Sequence, residues 1–334
     1  MIKEILPDIY KIEIPLPGNP LKAINSFVIR DSARSLIIDT GLNRKECMDA
    51  MQAGLRELGV KLRDTDFFIT HLHADHFALV SRLVTDTSHV YLNQPDAERH
   101  ARGGVWDEMV TAARVNGFPE GELQSALRNH PGYRYGARLD MPLRMVNQGD
   151  TIEIGQYRFL CIETPGHTRG HTCLFEPNKK ILFSGDHILG DITPNIQSWS
   201  DDWNPLREYL LSLDKVYELD VEVVLPGHRS IFKNHRERIQ ELKYHHSKRA
   251  AEVLSILQKG GKNAFQVASQ MSWDIICESW SLFPVTQKWF ATGEAIAHLI
   301  YLEEKNVIYR ERVEGQAGLK HSSWDREVNL WYLH

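Results

Sequence analysis

The sequence predicts an α/β fold in its larger part, followed by a mainly helical part, and two observations lead to this prediction. Over about the first 235 of the 334 residues, short apolar segments typical of strands are separated by turns and by helical patterns. After about residue 234, helical patterns dominate. Since 334 residues exceed the usual size of one domain, we expect one domain at 1–235 and a second at 236–334.

The strands of the first domain are predicted where apolar and β-branched residues precede Gly, Pro, Asp or His. They are 9–14, 25–30, 35–39, 65–70, 151–154, 157–162, 172–175, 180–184 and 221–225. A helix is predicted at 44–58, where Cys47, Met51 and Leu55 recur at helical spacing and Gly59 follows. Between about 95 and 145, apolar residues again recur at helical spacing, which predicts a helical insertion in this domain.

The second domain is predicted to be built from helices and one hairpin. A charged helical run extends to about residue 259, and further helices are expected at 264–271 and 286–304. Short strands at 307–310 and 328–332 are expected to pair. Helices followed by such a hairpin indicate a winged-helix-like domain.

Composition narrows the classes of protein to which this chain can belong. Hydrophobic residues make up 42% and charged residues 25%, which is typical of globular proteins. The formal net charge of -5 provides no overall positive field to attract nucleic acid or an anionic membrane. Apolar runs of signal-peptide or membrane-spanning length are not found, so we expect a cytoplasmic protein without membrane contact.

A dense group of histidines follows the predicted strand at 65–70. His71, His73, Asp75 and His76 form the pattern H-x-H-x-D-H. Imidazole nitrogen and carboxylate oxygen are ligands that zinc accepts without thiolate, and the four cysteines form no C-x-x-C pair. The spacing is specific enough to predict a metal site.

Three further candidate ligands each come after a predicted strand and beside a glycine. They are His167, Asp186 and His228. Alone, each pattern is weak, because a histidine at a strand end is more often a hydrogen-bonded surface or core residue. Together with the first group they indicate one metal site assembled from several strand ends.

These motifs, in this order, resemble those of the metallo-β-lactamase superfamily over residues 5–235. The resemblance implies a four-layer αββα sandwich with the site at one edge. It also implies two metal ions, the first bound by His71, His73 and His167. Asp75, His76 and His228 would bind the second ion, and Asp186 would bridge the two.

Two neighbouring cations can share a water, lower its pKa and polarise the bond that it attacks. We therefore predict a hydrolase that uses a metal-bridging hydroxide. Asp75 is the candidate catalytic residue, since it can orient that hydroxide or take up its proton. Zinc is the favoured metal, with iron and manganese as alternatives.

Several residues beside the candidate ligands are assigned to supporting roles. Asp39 is predicted to hydrogen-bond a metal-bound histidine. His171 and His187 are candidates for the same supporting role, with simple packing or a position at the rim of the site as the alternative. Arg169 is a candidate contact for an anionic substrate, and a solvated arginine is the alternative.

Aromatic residues of the insertion are candidates for a substrate pocket. Trp106, Phe118, Tyr133 and Tyr135 would cover an apolar acyl group. The same residues would equally serve as the insertion's own core.

The substrate class is the least determined part of the prediction. The segment 166–171 is similar to that of glyoxalase II-like members, which favours a small thioester or lactone. The helical tail is similar to that of LACTB2-like members, some of which cleave single-stranded RNA, so a nuclease or phosphodiesterase is the alternative. A non-catalytic nucleic-acid-binding regulator is the third hypothesis.

The charge of the tail disfavours nucleic acid as a partner. Residues 244–334 carry ten basic and ten acidic side chains, whereas a surface that grips phosphates should be basic. A small-molecule substrate is therefore favoured. Five tryptophans in the tail would suit a homodimer interface or an internal core; they are Trp273, Trp280, Trp289, Trp324 and Trp331.

Overall fold

The computed structural model describes residues 2–138, 140–314 and 327–334, which group into two compact units. The first unit comprises the residues up to Gly103, Pro131–Pro194 and Tyr209–Gln240. The second unit comprises Gly104–His130, Asn195–Glu208 and the described residues from Glu241 to His334.

The helices and strands are numbered in chain order. The strands are β1 (Ile2–Leu6), β2 (Ile9–Pro15), β3 (Ala23–Ile29), β4 (Ser35–Ile38), β5 (Thr65–Phe68), β6 (Val90–Asn93), β7 (Leu143–Val146), β8 (Thr151–Ile154), β9 (Tyr157–Glu163), β10 (Thr172–Glu176), β11 (Ile181–Gly185), β12 (Val223–Pro226), β13 (Ile308–Glu314) and β14 (Glu327–Leu333). The α-helices are α1 (Lys45–Leu58), α2 (Ala74–Phe77), α3 (Gln94–Arg102), α4 (Val105–Val115), α5 (Glu120–Asn129), α6 (Pro131–Tyr135), α7 (Pro205–Tyr217), α8 (His235–Leu257), α9 (Ala264–Ala268) and α10 (Val285–Glu304). Short 3-10 helices are found at Leu62–Asp64, Ala78–Arg82 and Trp280–Leu282.

Two β-sheets form the centre of the first unit. Strands β1 to β7 make a seven-stranded sheet in sequence order, antiparallel from β1 to β4 and parallel from β4 to β7. The second sheet has five strands in the order β12-β11-β10-β9-β8, and only β11 and β12 pair in parallel. Because β9, β11 and β12 point the same way, their carboxyl ends meet at one edge.

Apolar side chains from both sheets fill the space between them. Phe27 of β3 meets Phe183 of β11 edge to face, with ring centroids 5.2 Å apart. Phe183 also meets Phe159 of β9 at 5.6 Å. These rings are buried together with Ile38 and Phe68, so both sheets bury one face against each other.

Helices cover the outer faces of this sandwich. The apolar stripe of α1 lies on the seven-stranded sheet, where Gly54 allows the helix backbone to approach; a Cβ there would lie 2.5 Å from Ile12 Cδ1. On the other side, α7 buries Tyr209 and Leu213, and Ser212 Oγ donates to the carbonyl of Pro165 at 2.8 Å. The first unit is thus a four-layer αββα sandwich, as the resemblance implied.

The two sheets are also tied together at the edge where strands β9, β11 and β12 end. The backbone N–H of Asn25 donates to the carbonyl of Gly227 at 2.7 Å. The side-chain amide of Asn25 donates to the carbonyls of Pro226 and Arg229, each at 2.9 Å. These bonds join segments about two hundred residues apart in sequence.

The second unit has its own apolar core, built by α4, α5, the later part of α8, α9, α10 and the hairpin β13–β14. Trp289 and Trp331 are buried in it, and Trp289 stacks on Trp199 with centroids 4.2 Å apart. Trp273 and Trp280 pack on the same core. These four tail tryptophans are therefore explained without a subunit interface, and the homodimer stays a prediction.

Residues 104–130, expected in an insertion of the first domain, have their core contacts in the second unit instead. Their apolar face packs with α9 and α10, which lie more than 130 residues later in the chain. The boundary at 235 and 236 and the winged-helix-like character of the tail stay predictions. Trp324 lies outside the described residues. Within the described part of the chain, no helix is both long and apolar enough to cross a membrane.

The contact between the sheets predicts the cost of truncating Phe183. We expect Phe183→Ala to lower the free energy of unfolding by about 3–5 kcal/mol, because a buried aromatic ring is replaced by a cavity. Urea denaturation would measure this change. The control is Leu211→Ala, which removes a side chain of α7 that is 57% exposed and should change stability by less than about 0.5 kcal/mol. Equal effects of the two substitutions would contradict this account of the core.

Candidate metal centre

The seven-stranded sheet contributes four of the predicted ligands from the segment that follows β5. His71 and His73 lie in the loop after the strand, and Asp75 and His76 lie on the one-turn helix α2. The predicted loop therefore ends in a helical turn, which carries Asp75 and His76. His71 and His76 are fully buried.

The five-stranded sheet contributes the other three. His167 follows β9, Asp186 follows β11 and His228 follows β12. All three are 7% exposed or less. Because these strands end at the same edge, residues up to 157 positions apart in sequence meet the His71–His76 segment.

The seven side chains converge within the first unit. Three trios have ligand-capable atoms that all lie within 4.8 Å of one another: His71, His73 and His167; His71, His76 and Asp186; and Asp75, His76 and His228. Ring centroids are 4.4 Å apart for His73 and His167, and 5.3 Å for His76 and His228.

Hydrogen bonds at Nδ1 orient three of the imidazoles. His71 Nδ1 is 3.0 Å from Thr70 Oγ1, and His228 Nδ1 is 2.8 Å from the carbonyl of Ala23. His76 Nδ1 is 2.7 Å from the Asp39 carboxylate, which also accepts from the backbone and the hydroxyl of Thr70. The Nε2 atoms of these rings are left to face the cluster, as in metal-bound histidines. Asp39 thus contacts one of the candidate ligands, and its role beside a metal-bound histidine stays a prediction.

The distances between the inner atoms match a cation site better than a set of hydrogen bonds. Asp186 oxygens lie 3.5 Å from Nε2 of His76, 3.6 Å from that of His167 and 3.5 Å from that of His228. Two atoms each about 2.0–2.2 Å from a tetrahedral zinc lie about 3.3–3.6 Å apart. Among the described residues, buried Nε2 of His71 and His76 and Oδ1 of Asp186 have no hydrogen-bond partner. The donor set therefore fits metal ions.

The histidines of the cluster differ in the direction in which their surroundings shift the pKa. Burial lowers the pKa of His71 and His73 well below the usual value, so both are neutral, as metal binding requires. Burial also lowers the pKa of His76, but the facing carboxylates of Asp186 and Asp39 outweigh it and raise the pKa well above the usual value. For Asp186, burial raises the pKa, yet the surrounding imidazoles of His228 and His76 bring it well below the usual range.

His171 and His187 are buried beside the cluster and lie outside the three trios. His171 Nε2 accepts the backbone N–H of Asp186 at 3.1 Å, and its Nδ1 is 2.7 Å from Thr164 Oγ1. It therefore holds the backbone of Asp186 in place. The ring of His187 meets Tyr209 edge to face at 5.3 Å.

The predicted pocket residues are dispersed between the units. Trp106 and Phe118 pack in the core of the second unit, where Phe118 is 4% exposed. Tyr133 is exposed and Tyr135 packs on the core of the first unit, with its ring below the Arg44 guanidinium. Their role in substrate binding, like that of the half-buried Arg169, stays a prediction.

One carboxylate in this region was missed by the sequence analysis. Asp96, in the first turn of α3, is 3% exposed and accepts hydrogen bonds from Leu72, Thr168 and Gly170. Like Asp39, it comes just after a strand of the seven-stranded sheet. That position was the available signal, but strand β6 was not predicted.

Comparisons with known proteins agree with this architecture. Residues 20–228 match the family model of the metallo-β-lactamase superfamily. The probable metallo-hydrolase YqjP of Bacillus subtilis is 24% identical over 317 residues, which cover 90% of this chain and 94% of that protein.

Two further similarities bear on activity and fold. The acyl-coenzyme A thioesterase MBLAC2 of Gallus gallus is 30% identical over 222 residues, covering 62% of this chain and 73% of that protein. The crystal structure of a metallo-β-lactamase family protein from Thermus thermophilus superposes with a TM-score of 0.80 and 26% identity, covering 99% of this chain and all of that one.

The burial of His187 predicts a measurable pH dependence. Burial lowers the pKa of His187 to about 3, and neither ring nitrogen has a hydrogen-bond partner among the described residues. As the pH falls, His187 of the folded protein therefore binds a proton at a lower pH than in the unfolded chain, where the pKa of histidine is about 6.5. Burial of the neutral ring therefore makes its full contribution to the free energy of unfolding above about pH 6.5, and this contribution is lost as the pH falls below that value.

We expect His187→Leu to remove this loss. Between pH 7 and pH 5, the wild-type protein should lose roughly 2 kcal/mol more free energy of unfolding than the variant, with both measured in chelator. At pH 7 the two should be similar, since an apolar side chain of like volume replaces an unsatisfied polar one. Parallel pH profiles for the two proteins would show that His187 is solvated or hydrogen-bonded.

Proposed function

Because this chain belongs to the metallo-β-lactamase superfamily and is a hydrolase of that superfamily, we propose that it hydrolyses acyl thioesters at a dinuclear metal site. The observation that carries the proposal is the convergence of His71, His73 and His167 beside Asp75, His76 and His228 at one edge of the sandwich. Zinc is the favoured metal, since nitrogen and carboxylate ligands suit it. Iron and manganese are the alternatives.

Two of the three trios are each assigned to one ion in this proposal. His71, His73 and His167 would hold one ion, and Asp75, His76 and His228 the other. Asp186 would contact both, because its carboxylate lies 3.5–3.6 Å from Nε2 of His76, His167 and His228. The bound ions would supply Lewis acidity and lower the pKa of the attacking water.

Asp75 is proposed to position that water. Its side chain is 17% exposed, so it borders solvent, and Oδ2 lies 3.4 Å from His228 Nε2. Burial raises the pKa of Asp75, but the neighbouring imidazoles of His228 and His76 outweigh it and bring the pKa below the usual value. A carboxylate of low pKa stays ionised and is a weak base, so it can accept a hydrogen bond from the water but takes up a proton poorly. Orientation of the water is therefore the role that it suits best.

The lack of a strong general acid among the described residues of this cluster favours a thioester over an amide as the substrate. A thioester releases a thiolate, whose conjugate thiol has a pKa of about 8.5, whereas an amide must protonate a far more basic leaving nitrogen. Imidazoles that bind metal cannot also donate a proton, and Asp75 stays ionised. A leaving group that departs without a strong general acid therefore suits this cluster, and a lactone is the next choice. The thioesterase activity named for the MBLAC2 relative supports the same substrate class.

The proposal is tested by metal analysis of the purified protein together with assays on acyl-coenzyme A thioesters, lactones, amides and single-stranded RNA. We expect two equivalents of metal and turnover of thioesters. His73→Ala should lower kcat/KM by at least about 100-fold, since removal of an outer partner of a metal ligand already costs 10–100-fold. Chelation should abolish turnover and zinc should restore it.

His89→Ala is the matched control for His73→Ala. His89 belongs to the same unit and contacts Asp66 and Arg144, outside the cluster. This variant should keep both its metal and its activity. Cleavage of RNA without turnover of thioesters would support the nuclease alternative, and turnover by a metal-free protein would refute the mechanism.

A further inference from the structure

We infer that Asp96 is a positioning residue that clamps the two loops carrying His71, His73 and His167, and so sets the affinity of one of the two metal positions. The inference rests on the proposed function, because it concerns binding of metal by that trio. It assigns a role to a residue that lies outside all three trios of candidate ligands.

One oxygen of Asp96 holds the first loop. Oδ2 accepts the backbone N–H of Leu72 at 3.1 Å. Leu72 lies between His71 and His73, so this single bond fixes the peptide from which both imidazoles diverge. The two rings contact each other edge to face, with centroids 4.7 Å apart.

The same carboxylate holds the second loop. Oδ2 also accepts the hydroxyl of Thr168 at 2.8 Å, and Oδ1 accepts the backbone N–H of Gly170 at 2.8 Å. Thr168 follows His167 directly. A Cβ at position 170 would lie 2.7 Å from the backbone nitrogen of Asp96, so only glycine permits this close approach.

The position of Asp96 is itself fixed by its surroundings. It lies in the first turn of α3, immediately after β6, and β6 is paired in parallel between β5 and β7. Asn93, which precedes the helix, donates through its side-chain amide to the carbonyl of Val146 at 2.9 Å and to Glu163 at 3.0 Å. The carboxylate is thus held by the sheet and transfers that rigidity to both loops.

A carboxylate is required here because three donors converge on two oxygens. In Asp96→Asn the amide group can accept on one side only, so its NH₂ faces either the Gly170 N–H or the Leu72 N–H, and a buried donor loses its acceptor. The substitution preserves shape and volume. Any effect on zinc binding can therefore be attributed to the lost hydrogen bond and not to a change in packing.

The test is the measurement of both zinc dissociation constants by competition with a chromophoric chelator. For Asp96→Asn, we expect one of the two constants to rise by about 10–100-fold and the other to change little, because the residues that Asp96 contacts directly, Leu72 and Thr168, adjoin His71, His73 and His167. Thr168→Val, which removes one of three donors, should shift the same constant by less. Thr168→Ser, which keeps the hydroxyl, should restore wild-type binding.

Asp66→Asn is the matched control. Asp66 is equally buried in the same unit and accepts from Arg34 and from the backbone of His89, away from both loops. It should leave both zinc constants unchanged, although it lowers stability. The inference would be overturned if Asp96→Asn bound zinc like the wild-type protein. It would also be overturned if Asp96→Asn and Asp66→Asn weakened both zinc positions to the same extent. A wild-type protein that binds no zinc would instead overturn the proposed function and, with it, the clamp. If Asp96→Asn does not fold, the comparison of Thr168→Val with Thr168→Ser decides.

Discussion

The crowding of imidazoles at one edge of the sandwich is the constraint on which the rest of the first unit depends. The rings of His71 and His76 lie 4.0 Å apart between centroids, and both side chains are fully buried. Such packing is stable only if the rings are neutral, held by hydrogen bonds on their outer nitrogen, or opposed by carboxylates. Glycine is needed where backbone passes closest: a Cβ at Gly227 would lie 2.7 Å from an oxygen of Asp186.

Much of the candidate site was predictable because its candidate ligands follow recognisable local patterns. The H-x-H-x-D-H spacing lies within one segment, so it stands out without any knowledge of the fold. His167, Asp186 and His228 are different, since each is an ordinary strand-end residue by itself. Their convergence depends on β9, β11 and β12 pointing the same way, and only the ordered resemblance to a family could supply that information.

The parts that could not be predicted depend on contacts between distant segments. Strand β6 has four residues, too few for a clear alternation, and without it the strand-end position of Asp96 is not visible. Residues 104–130 have a helical pattern that is visible in the sequence, but their apolar face has no local partner. It packs on α9 and α10, whose place in three dimensions no periodicity reveals.

The bonds between Asn25 and the segment at Pro226 and Gly227 have a consequence for how the protein matures. They place His228, the last residue of the candidate cluster in the sequence, against the carbonyl of Ala23 near the start of the chain. A nascent chain that has not yet emerged beyond this point lacks one imidazole and one of the strands that aligns the others. In the proposed dinuclear site, the cation assigned to His228 could therefore bind only after β12 and His228 have been synthesised.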